Sequence, residues 1–87
     1  MTMIVRKPTN DEIFLTHKWE FWSKEPSEFE WEYEQTETCY ILRGKAEVTS
    51  DTGKKISFQL GDLVVFEKGL KCTWKILEKI EKKYNLE

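Results

Sequence analysis

The segment of residues 28 to 34, EFEWEYE, alternates strictly between glutamate and an aromatic residue. Every second side chain of a β-strand lies on the same face, so this pattern predicts a half-exposed strand. The rings of Phe29, Trp31 and Tyr33 are expected to point into a core, with the glutamates facing solvent. We therefore interpret these glutamates as a solvated face rather than as a metal site.

The rest of the chain repeats this two-residue period in short runs. Apolar residues alternate with polar ones in residues 46–48 and 55–60, and a buried run follows at 63–66. Gly44 interrupts one run, which predicts a bend or bulge in a strand. Turn signals separate the runs at intervals of about 8 to 12 residues, a spacing typical of a β-sandwich or small barrel.

The two ends of the chain carry different signals. Thr9 and Glu12 have the spacing of a capping box and predict a helical turn of one or two turns through residues 13–15. The tail, residues 75–87, is ambiguous because its apolar positions fit both a helical and a two-residue period. We expect the pair at 82–83, two lysines, to form a solvated edge that opposes edge-to-edge pairing.

Length and charge narrow the class of protein. The 87 residues predict one domain with one core, spanning residues 1–87. The net charge is −2 and no basic block is present, so we expect no nucleic-acid partner and no anionic membrane surface. The longest apolar run is too short to span a bilayer, and the first twelve residues lack the apolar stretch of a signal peptide. We expect a cytoplasmic protein in which Cys39 and Cys72 are free by default.

Two stretches of the sequence carry the pattern of a known family. They are WEYEQTETCYILRGKAEVT, residues 31–49, and GDLVVFEKGLKCTWKI, residues 61–76. Glu37 keeps the closing spacing of the first cupin motif, and Cys72 stands at the histidine position of the second. The chain resembles small single-domain cupins, most closely the ureidoglycine aminohydrolase-like group. The resemblance implies an all-β jelly-roll barrel with a short N-terminal helical turn, a pocket inside, a strand in the tail and a homodimer.

The same resemblance locates the positions of a cupin metal site. Metal-binding cupins hold their ion with three histidines and one glutamate. Here the first two histidines fall on Trp31 and Tyr33, Glu37 is retained, and the third histidine falls on Cys72. An indole cannot ligate a metal, so any divalent ion would depend on Glu37 and Cys72. We expect no metal cofactor.

Three further side chains need an interpretation. If Glu37 points into an aromatic barrel, loss of hydration should raise its pKa and make it a functional candidate. The alternative is a structural carboxyl bonded to the Tyr33 hydroxyl or the Trp74 indole. Cys72 is a thiolate nucleophile or ligand, or a small buried apolar group, and we favour the latter because no histidine serves as its base. His17 is expected to have a surface role.

Three functions follow from these observations. The first is a binding protein for a small polar molecule, in a pocket formed by six residues: Trp31, Tyr33, Glu37, Cys39, Cys72 and Trp74. The second, implied by the resemblance, is a divalent-metal-dependent enzyme that hydrolyses a small ureide-like or amide-like compound. The third is a structural dimeric module whose barrel is filled by its own side chains.

Overall fold

Seven antiparallel strands form a single sheet in the computed structural model, which describes residues 1–87. One α-helix and one 3-10 turn lie near the N-terminus. The elements are β1 (Met3–Arg6), α1 (Asn10–Leu15), the 3-10 turn (Thr16–Lys18), β2 (Glu20–Lys24), β3 (Ser27–Glu32), β4 (Glu37–Ser50), β5 (Lys55–Gln59), β6 (Leu63–Phe66) and β7 (Lys71–Leu86).

Two long strands organise the sheet. β4 and β7 pair along nearly their whole length, and the strand order is β1-β6-β4-β7-β2. β2 and β3 both pair with β7, at different positions along it, while β5 pairs with β4. The prediction of a mostly β domain is confirmed, and so is the strand in the tail. The hydrogen-bonded order ends at β1 and β2, so the sheet does not close on itself and the jelly-roll barrel stays a prediction.

Gly44 produces the predicted bulge. The register between β4 and β7 shifts between Ile41 and Ala46, and Gly44 has φ of 94°. A Cβ atom added there would lie 2.0 Å from the carbonyl oxygen of Lys79. Glycine is required for two reasons, because the backbone is left-handed and because the facing strand approaches too closely for any side chain.

The capping box is present at the start of α1. The Thr9 hydroxyl accepts from the amide of Glu12, and the Glu12 carboxylate accepts from the amide of Thr9. Arg6 also donates to this carboxylate, and its hydrogen bond is the main reason that the pKa of Glu12 falls to about 2. The helix has only six residues, and nothing in the structure amounts to a helix that could cross a membrane.

Trp74 lies at the centre of an aromatic core. Its ring stacks on Phe29 with centroids 6.0 Å apart, and meets Phe58 edge-on at 5.3 Å. Phe66 contacts it at 5.6 Å and stacks in turn on Tyr33 at 4.7 Å. Large rings bury much area per residue, which lets so small a domain build a core.

Three side chains depart from the sequence prediction. Trp31 is 53 % exposed because β3 pairs on one side only, so its ring lies at an open rim. Leu60 is 62 % exposed because β5 ends at Gln59 and Leu60 belongs to the following turn. The prediction of a solvated edge at residues 82–83 is wrong for Lys82, which is only 5 % exposed and points inward from β7.

Candidate functional site

A cavity of about 590 Å³ lies between β2, the end of β3 and the inner face of β7. Its size is in the range of small-molecule sites. Five aromatic rings line it: Trp22, Trp31, Tyr33, Trp74 and Tyr84. The charged lining consists of Glu30, Glu32, Glu34, Glu37 and Lys82. The structural dimeric module whose barrel is filled by its own side chains stays a prediction.

An ion pair between Glu37 and Lys82 dominates the wall of the cavity. Lys82 Nζ donates to Glu37 Oε2 at 2.6 Å, and both side chains are nine-tenths or more buried. The two residues come from the adjacent strands β4 and β7 and share the inward face of the sheet. A buried ion needs a partner of opposite charge to offset its lost hydration, and the carboxylate and the ammonium group are each other's partner.

Aromatic rings surround the ammonium group of Lys82. Its Nζ lies 4.6 Å from the ring centroid of Trp22, 4.9 Å from that of Trp74 and 5.8 Å from that of Tyr84. The faces of such rings carry partial negative charge and attract a cation. The rings and Glu37 together explain how a lysine is accommodated at the centre of an apolar region.

Neither alternative partner predicted for Glu37 bonds to it. The Trp74 indole instead donates to the Tyr33 hydroxyl at 3.1 Å, so these two groups satisfy each other. Burial, and then the nearby charge of Glu37, raises the pKa of Tyr33 well above its usual range. The phenol is therefore neutral, and its own proton makes no hydrogen bond within the protein.

The second oxygen of Glu37 is also available. The hydrogen bond from Lys82 uses Oε2, and Oε1 makes no hydrogen bond. Every fully buried side-chain nitrogen or oxygen in the structure has a partner. Oε1 is therefore not sealed in the interior but reaches the cavity, where it can accept from a ligand.

The structure separates the two cysteines from this cavity. Cys39 is wholly buried opposite Val64 and Tyr84, and burial raises its pKa to about 12. Cys72 lines a neighbouring cavity, its thiol donates to the Trp31 carbonyl at 3.6 Å, and burial raises its pKa to about 11. Both thiols are free. Of the six predicted pocket residues, Trp31, Tyr33, Glu37 and Trp74 line the main cavity together.

The residues present do not fit a metal site. No group of three or more histidine, cysteine, aspartate or glutamate side chains is arranged to hold an ion. Glu37 is already neutralised by Lys82, and Cys72 faces the other cavity. His17, the only histidine, is exposed beside the ring of Phe14. The donor set that a metal-dependent hydrolase requires is therefore not assembled here.

Sequence reasoning missed eight of the twelve residues that line the cavity, among them Trp22, Lys82 and Tyr84. A signal for Lys82 exists in the tail, where it shares even parity with Ile80 and Tyr84. Once the tail is a strand, this parity places Lys82 on the inward face with them. The identity of its partner, Glu37, has no such signal because 45 residues separate the two in sequence.

Comparisons of the sequence and the structure with known proteins support a cupin fold. The model of the EutQ-like cupin domain matches residues 15–84. A crystal structure of a DUF861 family protein from Thermotoga maritima is 50% identical, with a TM-score of 0.95; the match covers 99% of this chain and 100% of that one. A search of curated proteins found no match.

Two longer proteins share the fold at lower identity. The EutQ protein of Clostridium difficile is 23% identical with a TM-score of 0.70, over 76% of this chain and 52% of that one. A putative ethanolamine utilization protein Q from Salmonella typhimurium is 20% identical with a TM-score of 0.69, over 76% and 53%. The present chain thus spans about half the length of these two proteins. On the family match and the 50% identical relative, the chain belongs to the EutQ-like cupin family.

Proposed function

We propose that this protein binds a small polar molecule in the cavity beside Glu37, without a metal ion. The observation that supports the proposal is the open carboxylate oxygen, Oε1, held in place by the ion pair with Lys82. A binding site is typically apolar with a few convergent polar groups, and this cavity has that composition.

The polar groups define the ligand's chemistry. Glu37 Oε1 accepts a hydrogen bond, and the neutral Tyr33 hydroxyl donates one. The ligand must therefore carry a hydrogen-bond donor, as an amide, an amine or a sugar hydroxyl does. The aromatic walls cover its apolar part, while the ion pair fixes the carboxylate's orientation before the ligand arrives.

A thermal-shift screen against ureides, amines, sugars and short acids tests the proposal. We expect at least one donor-bearing compound to raise the melting temperature, and Glu37→Gln to abolish that shift. Glu28→Gln is the matched control, because Glu28 is exposed on β3 and lies outside the cavity lining. The double variant Glu37→Gln/Lys82→Met leaves no unpaired buried charge and should also fail to bind. A panel without any shift, or a shift that survives both variants, would refute the proposal.

The proposal also includes the finer features implied by the family resemblance. We infer a homodimer, a closed jelly-roll barrel and membership of the ureidoglycine aminohydrolase-like group. A cytoplasmic location fits the two free buried thiols, because a reducing compartment keeps cysteines unpaired. Light scattering coupled to size-exclusion chromatography tests the assembly, and a monomer mass at micromolar concentration would contradict the homodimer.

A further inference from the structure

Lys82 combines burial with access to a cavity. Its side chain is only 6 % exposed, yet the residue lines the cavity beside Glu37. The next residue, Lys83, is half-buried and is not part of this lining. A lysine amine condenses with aldehydes to form an imine, and a desolvated pocket is where proteins place a lysine that reacts in this way. The location of Lys82 is therefore that of a lysine poised for such a reaction.

Glu37 is placed to move the proton that this reaction requires. The charged ammonium group has no lone pair, so it must lose a proton before it can attack. Glu37 Oε2 lies 2.6 Å from Lys82 Nζ and accepts its hydrogen bond. A nucleophile is activated by a proton acceptor within such hydrogen-bond reach. Transfer along this bond leaves a neutral amine beside a neutral carboxylic acid, so no buried charge is left without a partner.

The rings around Lys82 suit the product of the reaction as well as the free lysine. Nζ lies 4.6 Å from the ring centroid of Trp22, 4.9 Å from that of Trp74 and 5.8 Å from that of Tyr84. A protonated imine carries its positive charge at the same nitrogen as the ammonium group. The three rings and the Glu37 carboxylate that stabilise the ammonium group therefore also stabilise the protonated imine.

We propose that Lys82 reversibly forms an imine with a small hydroxyaldehyde in this cavity. The aldehyde carbon bonds to Lys82 Nζ, and the hydroxyl group donates to Glu37 Oε1, which makes no hydrogen bond within the protein. The hydroxyl is the hydrogen-bond donor that the proposed function requires, and the aldehyde adds the reactive carbonyl. The inference therefore rests on the proposed function, and it specifies the class of ligand and the bond that the ligand forms.

The protons and electrons of this reaction balance within the site. Glu37 takes a proton from the Lys82 ammonium group, the amine lone pair forms a C–N bond with the carbonyl carbon, and the carbonyl oxygen takes up that proton. The nitrogen then gives a second proton to Glu37, which passes it to the new hydroxyl group. The C–O bond breaks, water leaves with the bonding pair, and the nitrogen lone pair completes the C=N bond. Ammonium and aldehyde thus become a protonated imine and water, with Glu37 again a carboxylate.

Reductive trapping of the wild-type chain tests the bond. The protein is incubated with glycolaldehyde and sodium cyanoborohydride, which reduces an imine to a stable secondary amine, and peptide mass spectrometry measures the label on each lysine. Lys7 is an internal control, because its Nζ lies 2.7 Å from an Asp62 carboxylate oxygen while its side chain is 72 % exposed. We expect at least about tenfold more label on Lys82 than on Lys7 or Lys83, because the cavity holds the aldehyde against Nζ. In urea this preference should disappear.

A second aldehyde and two variants test the roles of the groups. Propanal has as many heavy atoms as glycolaldehyde but a methyl group in place of the hydroxyl, so we expect about tenfold less label on Lys82 after the loss of one hydrogen bond to a charged group. Glu37→Gln should reduce the label on Lys82 to the level of Lys7. Glu28→Gln is the matched control and should change nothing, because Glu28 lies outside the cavity lining. Circular dichroism establishes that each variant is folded during labelling.

The remaining outcomes overturn the inference in distinguishable ways. Label on Lys82 no higher than on Lys7 in the folded wild-type protein would refute the imine, whatever the variants do. Equal label from propanal and glycolaldehyde would refute the hydroxyaldehyde, and full label in folded Glu37→Gln would refute the part assigned to that carboxylate. A thermal shift with donor-bearing compounds but no preference for Lys82 would refute this inference and leave the proposed function standing.

Discussion

Removing one member of the Glu37–Lys82 pair should destabilise the protein strongly. Lys82→Met keeps most of the apolar stem among its rings but leaves the Glu37 carboxylate without its partner. Breaking a buried pair from one side costs about 3 to 5 kcal/mol. The side chains are only 10 % and 6 % exposed, so solvent screens the pair little, but Oε1 borders a cavity that water can enter. We therefore expect the low end, about 3 kcal/mol.

The double variant Glu37→Gln/Lys82→Met should recover most of this loss. It contains no uncompensated buried charge, because both ionic groups are replaced by neutral side chains of similar size. We expect a total loss of about 1 kcal/mol, and hence a coupling free energy of about 2 kcal/mol or more between the two positions. For a domain of this size a loss of about 3 kcal/mol lowers the melting temperature by about 12 to 24 °C.

Urea denaturation followed by tryptophan fluorescence measures both effects, since Trp22 and Trp74 contact the Lys82 ammonium directly. The wild type, the two single variants and the double variant complete a thermodynamic cycle. Two results would refute the reasoning: a loss below about 1 kcal/mol in Lys82→Met, or a double variant as unstable as the sum of the singles. The first would mean that the pair behaves as an exposed one, and the second that its members act independently.

Three further predictions concern the bulge, the thiols and the metal. Gly44→Ala should lower the free energy of unfolding by about 3 kcal/mol or more, because its Cβ would meet the Lys79 carbonyl. Gly53→Ala, at φ of 90° with open space around it, should lower it by only about 1 kcal/mol. Equal losses for the two variants in urea denaturation would contradict this prediction. Cys39 and Cys72, with pKa values raised to about 12 and about 11, should resist alkylation at pH 8, and labelling as fast as in urea would contradict this. The stability that their neutral thiols contribute should be fully present below pH 9 and be lost as the pH rises through those two values. Metal analysis of protein purified without a histidine tag should find no stoichiometric divalent ion, and a bound ion that disappears in Cys72→Ala would overturn our interpretation.

Local sequence patterns predicted most of the strands because their causes are local. The alternation in EFEWEYE, the capping box at Thr9 and the glycine at the bulge each depend on a few neighbouring residues. Trp31 marks the limit of such reasoning, because alternation predicts the face on which a side chain lies but not whether another element packs over it, and Trp31 is 53 % exposed. β3 is an edge strand, and that fact depends on the pairing of the whole sheet.

The candidate site was predictable only in part, for the same reason. Trp31, Tyr33 and Glu37 were identified from the motif positions, and they line one cavity together with Trp74, which was also predicted for the pocket. Cys72 was expected in the same pocket as Glu37 and instead lines the neighbouring cavity. The partner of Glu37 was not anticipated, because a lysine pair at 82–83 in a polar tail has the composition of a solvent-exposed edge.

The sequence by itself determined that this chain is mostly β and where its turns fall, because both depend on residue type and short-range periodicity. Only the tertiary structure decided that Glu37 is held by Lys82, that Trp31 is open to solvent, and that Cys72 lines a second cavity. The physical reason is that ion pairing, exposure and cavity shape depend on contacts between strands far apart in the chain. Buried charges in particular are permitted only by the partners that folding brings to them.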